Sequence, residues 1–302
     1  MGLEGSGKTT LFNALTGAAV APGSYEQHVG VAPIADPRLG EVARVVGSAK
    51  ATPASLRVVD VPGRGAAMLG QLRQADALLA ILDSFSPGAD PERDLESLRL
   101  ELLVADRDHV GKRLEAVRPK ARAGERDARA EAEALESALA HLEGERPLSE
   151  HVGKVPATLE PLTTKPLVAI ENGPGGIDCQ FEAELAVLAE DEAGAFREGP
   201  SALEEVLRRL RDALGLVTFF TANENEARAW TLTSGRTALD AAESIHTDMA
   251  RGFVRCEVIP WNELVASGSR AEAARRGLQR LEGKTYAVAD GDVLQIRFTP
   301  PR

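Results

Sequence analysis

Gly2-Leu3-Glu4-Gly5-Ser6-Gly7-Lys8-Thr9 stands at the start of the chain and matches G-x-x-x-x-G-K-[ST] in full. Glycines at these places let a backbone wrap an anion with its N–H groups pointing inward. A helix is expected to follow, from Lys8 to Thr16, and its N-terminus adds a positive dipole end at the same point. In such a loop Gly5, Ser6, Gly7, Lys8, Thr9 and Thr10 surround a phosphate chain. Lys8 bridges β- and γ-phosphate oxygens, and the Thr9 hydroxyl binds Mg²⁺. The competing reading is a glycine-rich helix start carrying a surface lysine.

A second motif lies about fifty residues further on. Leu56-Arg57-Val58-Val59-Asp60-Val61-Pro62-Gly63 reads as a strand ending in D-x-x-G. An acid at that strand end holds the magnesium shell, and the glycine swings its amide toward a γ-phosphate. Alone the motif is weak; behind a phosphate loop it gains weight. The expected catalytic set is Lys8, Asp60 and Gly63, with Thr9, Asp60 and Ser24 around the metal.

The 302 residues, 43% of them hydrophobic, can bury more than one core. No apolar run reaches transmembrane length, and no signal peptide is expected ahead of a loop that begins at residue 2. Cys179 and Cys256 lie far apart and read as buried free thiols of a cytoplasmic protein. The net charge of −11 is uneven: residues 215–302 carry 11 Lys+Arg and 11 Asp+Glu, so the whole excess lies in residues 1–214. An acidic chain binds nucleic acid poorly without a local basic face. Arg251, Arg255, Arg270, Arg275, Arg276 and Arg280 could supply that face, or only solvated helix surfaces.

Along the chain, β-type runs at Val29–Ile34, Leu56–Val61, Ala77–Leu82 and Pro166–Ile170 alternate with helical stretches. Between them Val110, Leu114, Val117 and Ala121 step by four and three. Ala128, Ala132, Leu135, Leu139 and Leu142 do the same. This heptad seam, broken at Ala123-Gly124, predicts an antiparallel helical hairpin with a solvated outer face. His109 and His141 are expected on its surface. A small α+β domain follows from Gly215, with Asp290-Gly291-Asp292 turning into the last strand.

Three blocks resemble the YchF/Obg-like ATPase family. They are Gly7-Lys8-Thr9-Thr10-Leu11-Phe12-Asn13-Ala14-Leu15-Thr16; Val29-Gly30-Val31-Ala32-Pro33 with Asp36-Pro37-Arg38-Leu39; and a C-terminal set. The last comprises Ala227-Arg228-Ala229-Trp230-Thr231, Ile245-His246-Thr247-Asp248, Arg251-Gly252-Phe253, Leu281-Glu282-Gly283-Lys284 and Asp290-Gly291-Asp292-Val293. The resemblance covers nearly the whole chain. It implies an α/β Ras-like P-loop NTPase domain with a coiled-coil hairpin insertion, plus a β-grasp TGS domain. The boundaries it implies are 1–105 and 161–213 for the NTPase domain, 106–160 for the hairpin and 214–302 for the TGS domain. It also implies ATP or GTP with Mg²⁺, and a ribosome, rRNA or translation-protein partner in the cytoplasm.

The departures are specific. The family has a strand before the phosphate loop, where this chain has Met1 alone. The expectation is a preceding segment of about six or more residues, or a re-paired sheet. The base-reading N-x-x-E run becomes Glu171-Asn172-Gly173-Pro174-Gly175, which keeps Asn172 as a nucleotide contact and loses the carboxylate. The segment after it is shortened, since Cys179, Glu182, Ala183, Glu184 and Leu185 already match the next block. The first switch is short, with Ser24 the nearest counterpart of a metal-binding threonine. Arg64 after Gly63 leaves no glutamine to orient water.

Two functions from different classes follow. One is a weak nucleoside triphosphatase, supported by the complete phosphate loop. The other is a non-catalytic interaction protein working through its C-terminal domain, supported by the lost carboxylate. A small-molecule P-loop kinase fits the D-x-x-G run and the C-terminal blocks less well.

Overall fold

The structure, a computed structural model, describes the chain apart from residues 22, 25, 64, 189, 197–200 and 300–302. In chain order the first elements are α1 (Lys8–Thr16), β1 (His28–Ile34), α2 (Pro37–Val46), β2 (Ala51–Thr52) and β3 (Ala54–Asp60). Then come α3 (Ala66–Leu72), β4 (Leu78–Asp83), α4 (Pro91–Arg122), α5 (Arg126–Glu143) and β5 (Leu167–Asn172). Next are α6 (Cys179–Leu185), α7 (Glu190–Phe196), α8 (Ala202–Ala213), β6 (Leu216–Ala222) and β7 (Ala227–Thr233). The last are α9 (Ala238–Ile245), α10 (Thr247–Arg251), β8 (Phe253–Pro260), α11 (Trp261–Ser267), α12 (Arg270–Arg275), β9 (Arg280–Glu282) and β10 (Asp292–Phe298). No helix among the described residues is long and apolar enough to cross a membrane.

The chain packs as two compact units, Met1–Gly30 with Val58–Ala202, and Val31–Arg57 with Leu203–Arg302. In the first, α1 buries Leu11, Phe12, Ala14 and Leu15, a spacing that places them on one helix face. Strands β4 and β5 pair in parallel from Leu78↔Leu167 to Asp83↔Asn172. β4 is buried along most of its length and reads as a near-continuous apolar run, whereas β5 alternates and leaves Glu171 exposed. β1 and β3 form a separate two-stranded sheet. Met1 lies alongside β4. Its amino group donates to Leu79 O at 2.5 Å, and Ile81 N donates to Met1 O at 2.9 Å. One residue therefore lies along β4 as a strand would.

The heptad reading matches the hairpin. α4 and α5 close on one core of Val110, Leu114, Val117, Ala128, Ala132, Leu135 and Leu142, with Ala121 and Leu139 partly buried against it. Gly124 sits at φ +94, where a Cβ is strained, and turns the chain between the helices. Arg113–Glu131 at 2.7 Å joins the two helices on the solvent side. His109 is exposed as expected. His141 is not: it is 9% exposed, bonds to the Pro147 carbonyl at 3.1 Å and packs edge-on against His151. The chain leaving α5 folds back over it, a return that helical periodicity does not encode.

The second unit is built on a six-stranded sheet in the order β2-β7-β6-β10-β8-β9. β10 runs parallel to β6 and antiparallel to β8. Adjacent residues on one strand face opposite ways, and both faces are buried. Phe219, Val258 and Leu294 enter a core with α9, whereas Phe220, Ile259 and Val293 enter another with α2 and α11. Burying each such side chain contributes about 1.5–3 kcal/mol. The second core draws Leu39, Val42 and Ala43 from α2, far away in sequence. Asp36 caps α2 by accepting from Arg38 N, and Pro37 pre-sets its first turn. This gives Asp36-Pro37-Arg38-Leu39 a physical role. The Arg38 guanidinium bonds Asp36 and also Asp290, at 2.6 Å, and the Asp36 carboxylate beside it raises its pKa.

Candidate functional site

Three strand and helix ends deliver the site. The phosphate loop runs into α1, with Gly5 at φ +82 and Gly7 at φ +98. A side chain at Gly7 would be strained by that φ, and its Cβ would stand 2.5 Å from Asn172 Nδ2. Ser6 beside it is buried. The Lys8 ammonium donates to the carbonyls of Gly2, at 3.0 Å, and Leu3, at 2.7 Å. These contacts curl it over the loop's own first turn. Burial, with Lys8 nearby and Asp60 opposing, brings the Met1 amino group down to about 5.

Thr9 and Asp60 meet, as the motifs require. Thr9 Oγ1 donates to Asp60 Oδ2 at 2.8 Å, joining the first turn of α1 to the end of β3 across 51 positions of sequence. A hydroxyl and a carboxylate set side by side are hard oxygen ligands of the kind a magnesium ion takes. Gly63 follows at φ +86, with open space where a Cβ would stand. Arg64 lies outside the described residues. Ser24 has other partners: its hydroxyl lies 2.8 Å from His28 Nε2 and accepts from Glu26 N.

Asn172, at the end of β5, joins two parts of the site. Its Nδ2 donates to Ser6 O at 3.0 Å, and its Oδ1 accepts from Cys179 N at 3.0 Å. The side chain is buried and serves as a clamp between the phosphate loop and α6. Behind it the Gly173–Gly176 stretch makes a tight return. Gly173 N donates to Ile177 O, Ile177 N donates to Glu171 O, and a Cβ at Gly176 would stand 2.3 Å from Glu171 O. Only glycine allows that approach.

An open cavity of about 550 Å³ begins at Gly5, Gly7 and Thr10 and continues past Asn172 to Phe85, Pro174, Asp178 and Gln180. Phe85 is presented by the turn after β4, where Asp83 accepts from the amides of Phe85 and Ser86. Hydrogen bonds from Ser86 lower the Asp83 pKa. Phe85 and Asp178 were missed from the sequence. The signals were present: an aromatic residue two positions past a buried strand, and a carboxylate just after a Gly-Pro-Gly-Gly loop. Cys179 is buried, and desolvation pushes its thiol up to about 11. Neither the cysteines nor the histidines form a metal cluster among the described residues.

A phosphate-loop helix, a carboxylate at a strand end behind it and parallel strands bounding one cavity define the class of α/β P-loop proteins. Comparison with known proteins narrows the class. The YchF-GTPase_C family model, described as a protein of unknown function (DUF933), matches residues 216–299. The ribosome-binding ATPase YchF of Bacillus subtilis is 32% identical, over 99% of this chain and 98% of that protein. The protein of the same name from Escherichia coli O157:H7 is also 32% identical at the same coverage. The chain belongs to the YchF family. Among solved structures, the YchF GTPase of Schizosaccharomyces pombe superposes with a TM-score of 0.84 at 24% identity, over 98% of this chain and 96% of that one. A GTP-binding protein from Pyrococcus horikoshii OT3 gives 0.60 at 18% identity, over 99% and 98%. At these identities the likeness speaks to fold alone.

Proposed function

We propose that the protein is a Mg²⁺-dependent P-loop nucleotide-binding protein that hydrolyses ATP or GTP slowly and acts with the ribosome in the cytoplasm. The 2.8 Å contact of Thr9 with Asp60, at the mouth of a complete phosphate loop, carries this reading. Lys8 and the amides from Gly5 to Thr10 hold the phosphate chain. Thr9 and Asp60 would hold Mg²⁺, which would offset negative charge on the phosphate chain. Gly63 offers its amide to the γ-phosphate. Ser24 joins the metal shell only by leaving His28. Asn172 supports the nucleotide through the clamp it makes on Ser6. Positioning and charge stabilisation then do most of the chemistry, with water attacking in line.

The domain reading belongs to the same proposal: an NTPase domain at 1–105 and 161–213, a coiled-coil hairpin at 106–160 and a TGS domain at 214–302. The names of the bacterial relatives, ribosome-binding ATPases, support the ribosomal partner. Calorimetry with ATP and GTP in the presence of Mg²⁺, alongside a phosphate-release assay, tests the reading. Binding that Lys8→Ala abolishes, with slow turnover that Asp60→Ala removes, supports it. Binding without turnover turns the protein into an interaction module with a sensing site. No binding of either triphosphate sinks the proposal.

A further inference from the structure

The sheet of the second unit gathers three arginines around one acid. Arg255 and Glu257 lie two apart on β8, so they face the same way as Ile259, toward the side covered by α2 and α11. Arg297 of β10 stands directly opposite Arg255 in the register, which sets two like charges side by side. The buried Glu257 carboxylate accepts from Arg297 Nε at 2.9 Å and from Nη2 at 3.3 Å. Arg255 is exposed. α12 packs on this side of the sheet through Ala273. Arg270 lies one turn earlier on the same helix face. Both its terminal guanidinium nitrogens are buried, with no hydrogen-bond partner among the described residues. Burial lowers the Arg270 pKa; Glu257 opposes that shift and Arg297 adds to it, so both stand within electrostatic reach.

A guanidinium stays charged, and a buried charge without a partner is costly. For Arg270 the acid in reach is Glu257, and Arg297 already holds it. The two arginines therefore compete for one carboxylate, and Glu257 can pass from Arg297 to Arg270. Arg297, half-exposed, and Arg255 would then offer two free guanidinium groups from neighbouring strands. Residues so paired have Cβ atoms about 5 Å apart. At that spacing two planar forks can grip one tetrahedral oxyanion from both sides. We propose that Arg255 and Arg297 form a binding site for a phosphate-class dianion, and that Arg270 takes over Glu257 when the anion arrives. The ligand class follows from the charge: a dianion matches both guanidinium groups, a monoanion only one. The site lies in the second unit and is independent of the nucleotide reading.

The test uses the full chain carrying Lys8→Ala, which removes the phosphate loop as a competing anion site. Calorimetry at pH 8 and constant ionic strength compares inorganic phosphate and sulfate, both dianions there, with dimethyl phosphate, a monoanion. The dianions should bind, and the diester should bind about tenfold more weakly. Arg255→Gln changes an exposed side chain, so it should fold, and it should lose about tenfold for phosphate. The two residues that the anion does not touch should move the affinity in opposite directions. Arg270→Gln leaves Glu257 on Arg297 and should weaken phosphate binding several-fold, and Arg270→Lys, which keeps the charge, should restore most of it. Glu257→Gln frees Arg297 and should tighten binding several-fold. Residues that only held the sheet together would produce no such split. The proposal is overturned by a chain that binds neither dianion, by equal binding of the diester, by unchanged affinity in Arg255→Gln, or by weaker binding in a folded Glu257→Gln.

Discussion

Asp106, 1% exposed on α4, holds the Arg73 guanidinium at 2.7 Å and also receives the amides of Leu162 and Thr163 at 3.0 and 2.8 Å. A carboxylate buried this deeply is tolerated only with its charge and lone pairs matched. The group ties three separate stretches of the first unit together. Asp106→Ala leaves the Arg73 charge with only the Ala105 and Glu160 carbonyls, and takes the acceptor from the Leu162 and Thr163 amides and the Thr163 hydroxyl. We expect a loss of about 3–5 kcal/mol, read as a fall in the urea midpoint. A midpoint within experimental error of wild type would show that the pair contributes nothing.

Ser6 carries the opposite kind of feature. Its hydroxyl is buried and has no hydrogen-bond partner among the described residues. Such a group costs its desolvation without return. Ser6→Ala should stabilise the protein by about 1 kcal/mol, and the backbone carbonyl that Asn172 grips is untouched. Destabilisation in chemical denaturation would mean that the hydroxyl is engaged.

The thiols set an alkaline limit. Desolvation pushes Cys179 up to about 11 and Cys256 up to about 12, from an ordinary value of 9.0. The folded state keeps protons that the unfolded chain releases above about pH 9, so stability is full below that pH and falls through pH 9–12. Native protein should resist iodoacetamide at pH 8, and denatured protein should take up label at both sites. Replacing both cysteines by alanine should flatten the decline between pH 9 and 11. Rapid labelling of either thiol in the native state would contradict the burial.

Leu39 and Val42 of α2 are buried in the core under Phe220, Ile259 and Val293. Leu39→Ala should cost about 2–5 kcal/mol, measured by thermal or urea unfolding of the full chain. A fragment beginning at Asp212 leaves that sheet face uncovered. We expect it to bind a hydrophobic dye and to lack a sharp unfolding transition, whereas one that also carries residues 31–57 should unfold cooperatively. Cooperative unfolding of the shorter fragment would show that α2 is dispensable.

Local patterns made much of this legible. The phosphate loop and D-x-x-G run announced Thr9 and Asp60, which meet at 2.8 Å. The heptad seam announced α4 and α5, because periodicity is a local property. Long-range pairings were hidden. Nothing near Asp106 points to Arg73, and nothing near His141 shows that residues 147–151 fold over it. Asp178 was hidden for a different reason. It reaches the cavity wall only because the Gly173–Gly176 return folds the chain back beside β5. The packing of α2 with β6 and β10 was equally invisible, since its apolar stripe states only that something must cover it.

That packing has a consequence for how the chain is made. Residues 31–57 leave the ribosome roughly 150 residues ahead of the sheet that buries them. At ordinary elongation rates the delay is on the order of ten seconds or more. Meanwhile Leu39, Val42 and Ala43 have no native cover, and the second unit cannot close until β10 is available to pair with β6. This half of the molecule therefore closes only after β10 has emerged, long after α2. A nascent chain arrested before residue 292 carries a sticky helix in search of its sheet.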